Sequence, residues 1–218
     1  MPGQLRAAVI GAGYWGPKLA RNFRSSPLWD LAAIVDLDTD RAQKAADSIG
    51  GVAVFADIED VLTDDSIDAV AIATPAHTHH PLAMRAFAAG KHIVVEKPMA
   101  DSSRRAREMN EEAQRRGLVL MTDHTYCYTA AVQKIRELIA EGALGDILYI
   151  DSTRINLGLV QPDVDVFWDL APHDLSIIDF VLPEGLASTR VSAYGADPIG
   201  AGKACVGHLM TPLENGGM

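Results

Sequence analysis

The chain has 218 residues, 48% of them apolar, enough for one large domain or two small ones with a sizeable core. Its net charge of −10 argues against a phosphate-backbone ligand such as DNA, although a few backbone amides can still hold a pyrophosphate. The two isolated cysteines, Cys127 and Cys205, make neither a metal pair nor a disulfide framework, and no run approaches the ~20 apolar residues of a membrane span. With no apolar signal region before the first strand, the expectation is a cytoplasmic protein with no membrane partner.

Up to Asp123, short apolar runs alternate with helical patterns, the rhythm of parallel strands joined by crossover helices. The predicted strands are Arg6–Ile10, Leu31–Val35, Ala69–Ala73, His92–Val95 and Leu118–Met121, with Gly51–Phe55 a weaker candidate. The predicted helices are Trp15–Arg24, Thr39–Ser48, Ile58–Leu62, His80–Ala89 and Ser102–Arg116, the last started by Asp101-Ser102-Ser103 and stopped by Gly117. Beyond Asp123 an amphipathic helix fits Ala130–Glu141, a strand Ile147–Leu157, a helix near Phe167–Phe180, and strands Val191–Tyr194 and Cys205–Leu213. Long antiparallel strands after a doubly wound half imply an α/β dinucleotide-binding domain, 1–123, then an α+β domain, 124–218.

Gly11, Gly13 and Gly16 form G-x-G-x-x-G between an apolar strand and a helical pattern. That spacing serves a tight turn, close approach to a pyrophosphate, and close helix–strand packing. Asp36 closes the next strand, where a carboxylate can take both ribose hydroxyls and repel a 2′-phosphate; NAD is therefore favoured over NADP, with Arg41 on the next helix a cation that could approach a phosphate. An ordinary tight turn and a helix-capping aspartate are the plain alternatives. Tyr14 and Trp15, inside the loop, read as packing rather than reactive groups.

Lys97 ends the run His92-Ile93-Val94-Val95-Glu96, so it should emerge at the carboxyl edge of the sheet, and Pro98 restricts it to an extended conformation. A lysine there can donate to a substrate hydroxyl and steady a developing alkoxide, though from spacing alone a surface lysine is the plainer reading. Asp169 and His173 stand four apart, on one face if helical, and imidazole suits proton exchange with a carbinol. Their alternative is a helix cap with a satisfied histidine. No third ligand joins them, so no metal is expected. His77, His79 and His80 fall in a strand-to-helix loop, with capping and cofactor packing as their expected roles.

Together with Thr74-Pro75, His79 and Ala89-Gly90-Lys91-His92, these motifs make the chain resemble the Gfo/Idh/MocA family of glucose–fructose oxidoreductase, inositol 2-dehydrogenase and their relatives. The resemblance implies a Rossmann domain followed by an α/β domain with an open, mostly antiparallel sheet. It implies Lys97 as catalytic lysine, His173 as acid/base and Asp169 as its companion. The implied cofactor-binding set is Gly11, Gly13, Tyr14, Trp15, Gly16, Asp36, Thr74, Pro75, His79 and Glu96. Gly13-Tyr14-Trp15-Gly16-Pro17, Trp168–Asp174 and Arg154-Ile155-Asn156-Leu157-Gly158 look like members acting on nucleotide-linked sugars, with Arg154 and Asn156 meeting substrate. The expected activity is NAD-dependent hydride transfer at a sugar or nucleotide-sugar carbinol, C3 being typical. Family members usually run longer, so the second sheet is expected to be truncated, and a homo-oligomer through it is expected. The alternatives are a dinucleotide-binding regulatory protein and an inactive fragment.

Overall fold

The computed structural model describes residues 3–156, 160–183 and 188–218, in two units, Met1–Asp123 and His124–Met218. The first is built on a parallel sheet of β1 (Leu5–Ile10), β2 (Trp29–Val35), β3 (Ala53–Phe55), β4 (Ala69–Ile72), β5 (His92–Val95) and β6 (Leu120–Thr122), in the order β3-β2-β1-β4-β5-β6. Between the strands run α1 (Gly16–Ser25), α2 (Thr39–Asp47), α3 (Glu59–Leu62), α4 (Ala76–Ala88) and α5 (Ser103–Arg116).

The two-residue period of the strands explains why both faces need covering. Ala8 and Ile10 enter a core with Val61, Phe87 and Met109 of α3, α4 and α5, whereas Val9 enters another with Leu19 and Ala20 of α1 and Ala42 of α2. The chain leaves β1 toward β2 and β3, then returns to pair β4 on the other side of β1. Such a reversal opens a crevice at the carboxyl ends of the two strands, where open α/β sheets bind ligands.

Helix α4 begins at Ala76, a full turn before the expected His80, and contains Pro81. Pro81 is the sixth residue of this helix, past the four amides that lack partners in any case, so it forfeits the N–H that would otherwise reach the His77 carbonyl. His77, His79 and His80 consequently lie on a helix rather than in a loop.

The second unit comprises a 3₁₀ turn Thr125–Tyr128, α6 (Ala130–Ala140), α7 (Val166–Asp169), α8 (Ala171–Val181) and an antiparallel pair, β7 (Ser192–Ala196) with β8 (Val206–Met210). The single helix expected near Phe167–Phe180 is divided at Leu170. Pro172, at the start of α8, fits this division because it has no N–H to give the Trp168 carbonyl. Residues 147–156 form no strand despite their alternation. Among the described residues they have no ladder beside them, and only Leu148 and Ile150 exchange backbone hydrogen bonds, with Met218. The remainder of that expected strand, Leu157, and Gly158 after it lie outside the described residues.

Candidate active site

The glycine loop follows β1. Gly11 has φ +98°, and a Cβ there would sit 2.7 Å from the Ala73 carbonyl oxygen and 2.9 Å from Thr74 Cγ2. A Cβ on Gly16 would lie 1.9 Å from the Gly11 carbonyl oxygen, so the helix can start against the strand only with glycine present. Gly13 is exposed, with no heavy atom within 4 Å of its Cβ position, which leaves its backbone open to a phosphate.

Asp36 follows β2, buried, and is fixed from three sides. Its Oδ2 accepts from Ala12 N–H at 2.6 Å, its Oδ1 from Asp38 N–H at 2.9 Å, and Arg41 grips both oxygens from Nη2 and Nε at 2.6 and 3.2 Å. Burial pushes the carboxyl up, but Arg41 and the two amides outweigh it and hold the group below its usual range. An open cleft of about 600 Å³ beside it is lined by Ala12, Pro17, Asp38, Arg41, Lys44 and Ser48. Tyr14 and Trp15, expected to pack, are instead 77% and 42% exposed, because α1 turns Leu19 and Ala20 inward. Their rings meet edge to face at 5.3 Å, and Lys18 Nζ lies 3.5 and 3.9 Å from the two centroids.

Across the crevice, Thr74 Oγ1 pairs with Thr78 Oγ1 at 2.6 Å, and Thr78 Oγ1 also donates to the Pro75 carbonyl at 2.7 Å. His79 is 1% exposed; its Nε2 is 2.8 Å from the Thr74 carbonyl and its Nδ1 2.8 Å from the Pro98 carbonyl. His80, next along α4, pairs with Glu108 of α5 at 2.9 Å. Lys97 is half-buried and joins Pro98 through a cis peptide. Burial raises the buried Glu96 to about 7; repulsion from Asp123 adds to this and Lys97 opposes it. The first unit thus gathers Gly11, Gly13, Gly16, Asp36, Thr74, Pro75, His79, Glu96 and Lys97 at the carboxyl ends of β1, β2, β4 and β5.

In the second unit, Asp165 caps α7 by accepting from Phe167 and Trp168 N–H, both at 3.0 Å. Phe167 lies on a cross-strand glycine pair: a Cβ on Gly195 would meet its Cε2 at 3.0 Å, and one on Gly207 its Cζ at 2.5 Å. That seat holds the short helix whose last residue, Asp169, is 8% exposed. The half-buried His173 ring stands edge to face on Tyr126, centroids 4.8 Å apart, and Arg154 Cζ lies 4.4 Å from the Tyr126 centroid. Arg154 grips Asp174 from Nε and Nη2 at 2.7 and 3.2 Å, and Ser152 Oγ donates to the same carboxylate at 2.7 Å. Asp174 is buried enough to be pushed up, yet Arg154 and Ser152 bring it below the ordinary range. Asn156 is exposed and outside this network. A cavity of about 460 Å³ is lined by Ser152, Arg154, Phe167, Leu170, Asp174 and Ile178.

Sequence reasoning missed Tyr126, Ser152, Asp174 and Asp123. Asp174 sits beside His173 and was within reach; Tyr126 and Ser152 meet the site only through tertiary contacts. Among the described residues, no three His, Cys, Asp or Glu are grouped to hold a metal ion, and no helix is long and apolar enough to cross a membrane.

A family model described as an oxidoreductase family with an NAD-binding Rossmann fold, GFO/IDH/MocA, matches residues 5–124. The chain belongs to the Gfo/Idh/MocA family. Among curated relatives, this Gfo/Idh/MocA chain is 30% identical to D-glucoside 3-dehydrogenase of Escherichia coli, over 92% of the chain and 60% of the relative. It is 29% identical to scyllo-inositol 2-dehydrogenase (NAD(+)) of Bacillus subtilis, over 89% of the chain and 58% of the relative. The structure of UDP-N-acetylglucosamine 3-dehydrogenase from Acidithiobacillus ferrooxidans superposes with TM-score 0.84 at 28% identity, covering 99% of this chain and 67% of that one. The chain therefore spans about 60% of the length of these two curated relatives.

Proposed function

We propose that this chain carries the cofactor site and part of the substrate region of an NAD-dependent dehydrogenase acting on a sugar or nucleotide-linked sugar, at C3, or reducing the ketone in reverse. The observation that carries this reading is the joining of two motifs at one sheet edge. Gly11 is pressed against Thr74, and His79 links Thr74 to Pro98, so the segment bearing Lys97 is tied to the crevice beside the glycine loop. The names of two relatives, a glucoside 3-dehydrogenase and a UDP-N-acetylglucosamine 3-dehydrogenase, support the substrate class and the carbon.

The residues present suit the cofactor. Gly13 leaves backbone open for the pyrophosphate, and the Asp36 carboxylate, already ionised and held by Ala12 N–H, can receive ribose hydroxyls while repelling a 2′-phosphate. Tyr14 and Trp15 border this end, and Thr74, Pro75 and Glu96 border the nicotinamide end. When bound, NAD supplies the hydride acceptor. In oxidation, the Lys97 ammonium donates to the carbinol oxygen and steadies its growing negative charge as the C–H electron pair departs. His173, as neutral imidazole, takes the O–H proton, Asp169 orients the substrate beside it, and Arg154 and Asn156 face the sugar. The carbinol becomes a ketone, with its proton left on His173.

Lys97→Ala should leave NAD affinity unchanged while lowering turnover by roughly 10²-fold or more. Isothermal titration and NADH absorbance with a panel of nucleotide sugars measure the two quantities, and near-native turnover would remove Lys97 from the mechanism. The free thiols of Cys127 and Cys205 agree with a reducing cytoplasm. A homo-oligomer is part of the same proposal, since every residue of β7 is exposed and Tyr194 shows 75% of its surface. Light scattering should report more than one copy per particle, and a monomer at assay concentration would contradict it.

A further inference from the structure

His79 raises a question of proton count. A neutral imidazole has one N–H to give and one lone pair to offer. Its two ring nitrogens each lie 2.8 Å from a backbone carbonyl oxygen, of Thr74 and of Pro98, and a carbonyl oxygen can only accept. In either neutral tautomer one nitrogen would point its lone pair at a carbonyl lone pair, in a place only 1% exposed where no solvent relieves the conflict. Only the doubly protonated ring satisfies both contacts.

We propose that His79 is held in this fold as an imidazolium, a buried positive clamp whose two N–H groups fasten the turn after β4 to the Lys97–Pro98 segment. The two anchored carbonyls belong to different strand exits, Thr74 after β4 and Pro98 after β5, so the clamp sets the spacing between them. Charge makes both hydrogen bonds stronger than neutral ones. The ionisable groups on α4 itself are His77, His80 and Arg85; α5 carries Arg104, Arg105, Arg107, Glu108 (bonded to His80), Glu111, Glu112, Arg115 and Arg116; β5 carries His92 and runs into Glu96 and Lys97, with Asp123 after β6. β4 carries none. As a positioning residue for Lys97, His79 acts on the reaction proposed above and rests on that reading; its charge does not.

The charge state has a signature of definite sign. If folding raises the His79 pKa, its stabilising effect is complete below about 6.5 and is lost as pH rises through the folded-state value. The folding equilibrium constant of the 218-residue chain, relative to His79→Gln, should then fall about tenfold per pH unit above about 6.5 until that value is reached. Urea unfolding across a pH series measures it. A neutral buried histidine predicts the reverse: a ratio that rises up to about 6.5 and is flat beyond, which would overturn the proposal.

A second measurement needs no variant. Nitrogen-15 NMR of the native chain, with the ring assigned through the backbone of residue 79, should show two protonated ring nitrogens at neutral pH; one protonated and one bare nitrogen would overturn it. The functional half has its own readout. His79→Gln should lower kcat with sugar more than it raises the NAD dissociation constant, and the opposite split would refute positioning of Lys97. If the native chain turns over no sugar at all, the dehydrogenase reading fails while the titration and NMR results still decide the clamp.

Discussion

Glu96 sits beside Lys97 with its carboxyl raised from 4.5 to about 7, first by burial and then by Asp123. The fold therefore favours the protonated acid. Its contribution to stability is present below pH 4.5 and is lost as pH climbs through about 7. Glu96→Gln, uncharged at every pH, should escape that loss. The stability gained over the native chain should grow across this interval, to a ceiling on the order of 2–3 kcal/mol, in urea denaturation at a series of pH values. A gap that does not change with pH would show that the carboxyl ionises without penalty. The residues that set such terms were unevenly visible in the chain. The glycines and Asp36 announce themselves because backbone sterics and strand ends are local matters. Asp123 and Tyr126 matter only through neighbours the folded chain brings to them, and no spacing rule reaches across that distance. Arg154 was visible as a polar residue, but its grip on Asp174 was not.

At the level of elements, strands β1, β2, β4 and β5 were legible because buried parallel strands are continuous apolar runs closed by turn residues. Two helices were misread, both around prolines. The helix expected from His80 starts at Ala76 and takes Pro81 inside it, while the single helix expected near Phe167–Phe180 divides at Leu170, two residues before Pro172. Residues 147–156 alternate as a strand should, yet alternation describes one strand and a ladder requires two. The brevity of α7 makes its cap important. It is a four-residue helix with too few internal bonds to stand alone, and Asp165 satisfies two of its amides. Asp165→Ala should cost about 1 kcal/mol in chemical denaturation followed by a probe in the second unit, such as Trp168 fluorescence. An unchanged midpoint would mean that packing of Phe167 alone keeps the helix wound.

Across the molecule, burial is divided very unequally. The first unit holds Ile34, Ile72, Phe87, Ile93 and Met109 at under 2% exposure, whereas the buried apolar residues described in the second unit are Cys127, Val132, Val181 and Leu213. Area removed from water scales with stabilisation, so the second unit should unfold at a lower denaturant concentration than the first. Limited proteolysis should accordingly leave a resistant fragment ending near Asp123 that still binds NAD. One cooperative transition, with no surviving fragment, would show instead that the units depend on each other.

The aromatic ring on the β7–β8 hairpin has a consequence for any redesign of this protein. Phe167 occupies the volume that a side chain at 207 would otherwise fill and shares with Ala204 Cβ the space above Gly195, so these positions form one variable rather than several. A library that enlarges either glycine while keeping phenylalanine samples misfits. One that exchanges aromatic bulk on α7 for methyl groups on the hairpin conserves volume, and offers a way to move Asp169 by small steps without touching it.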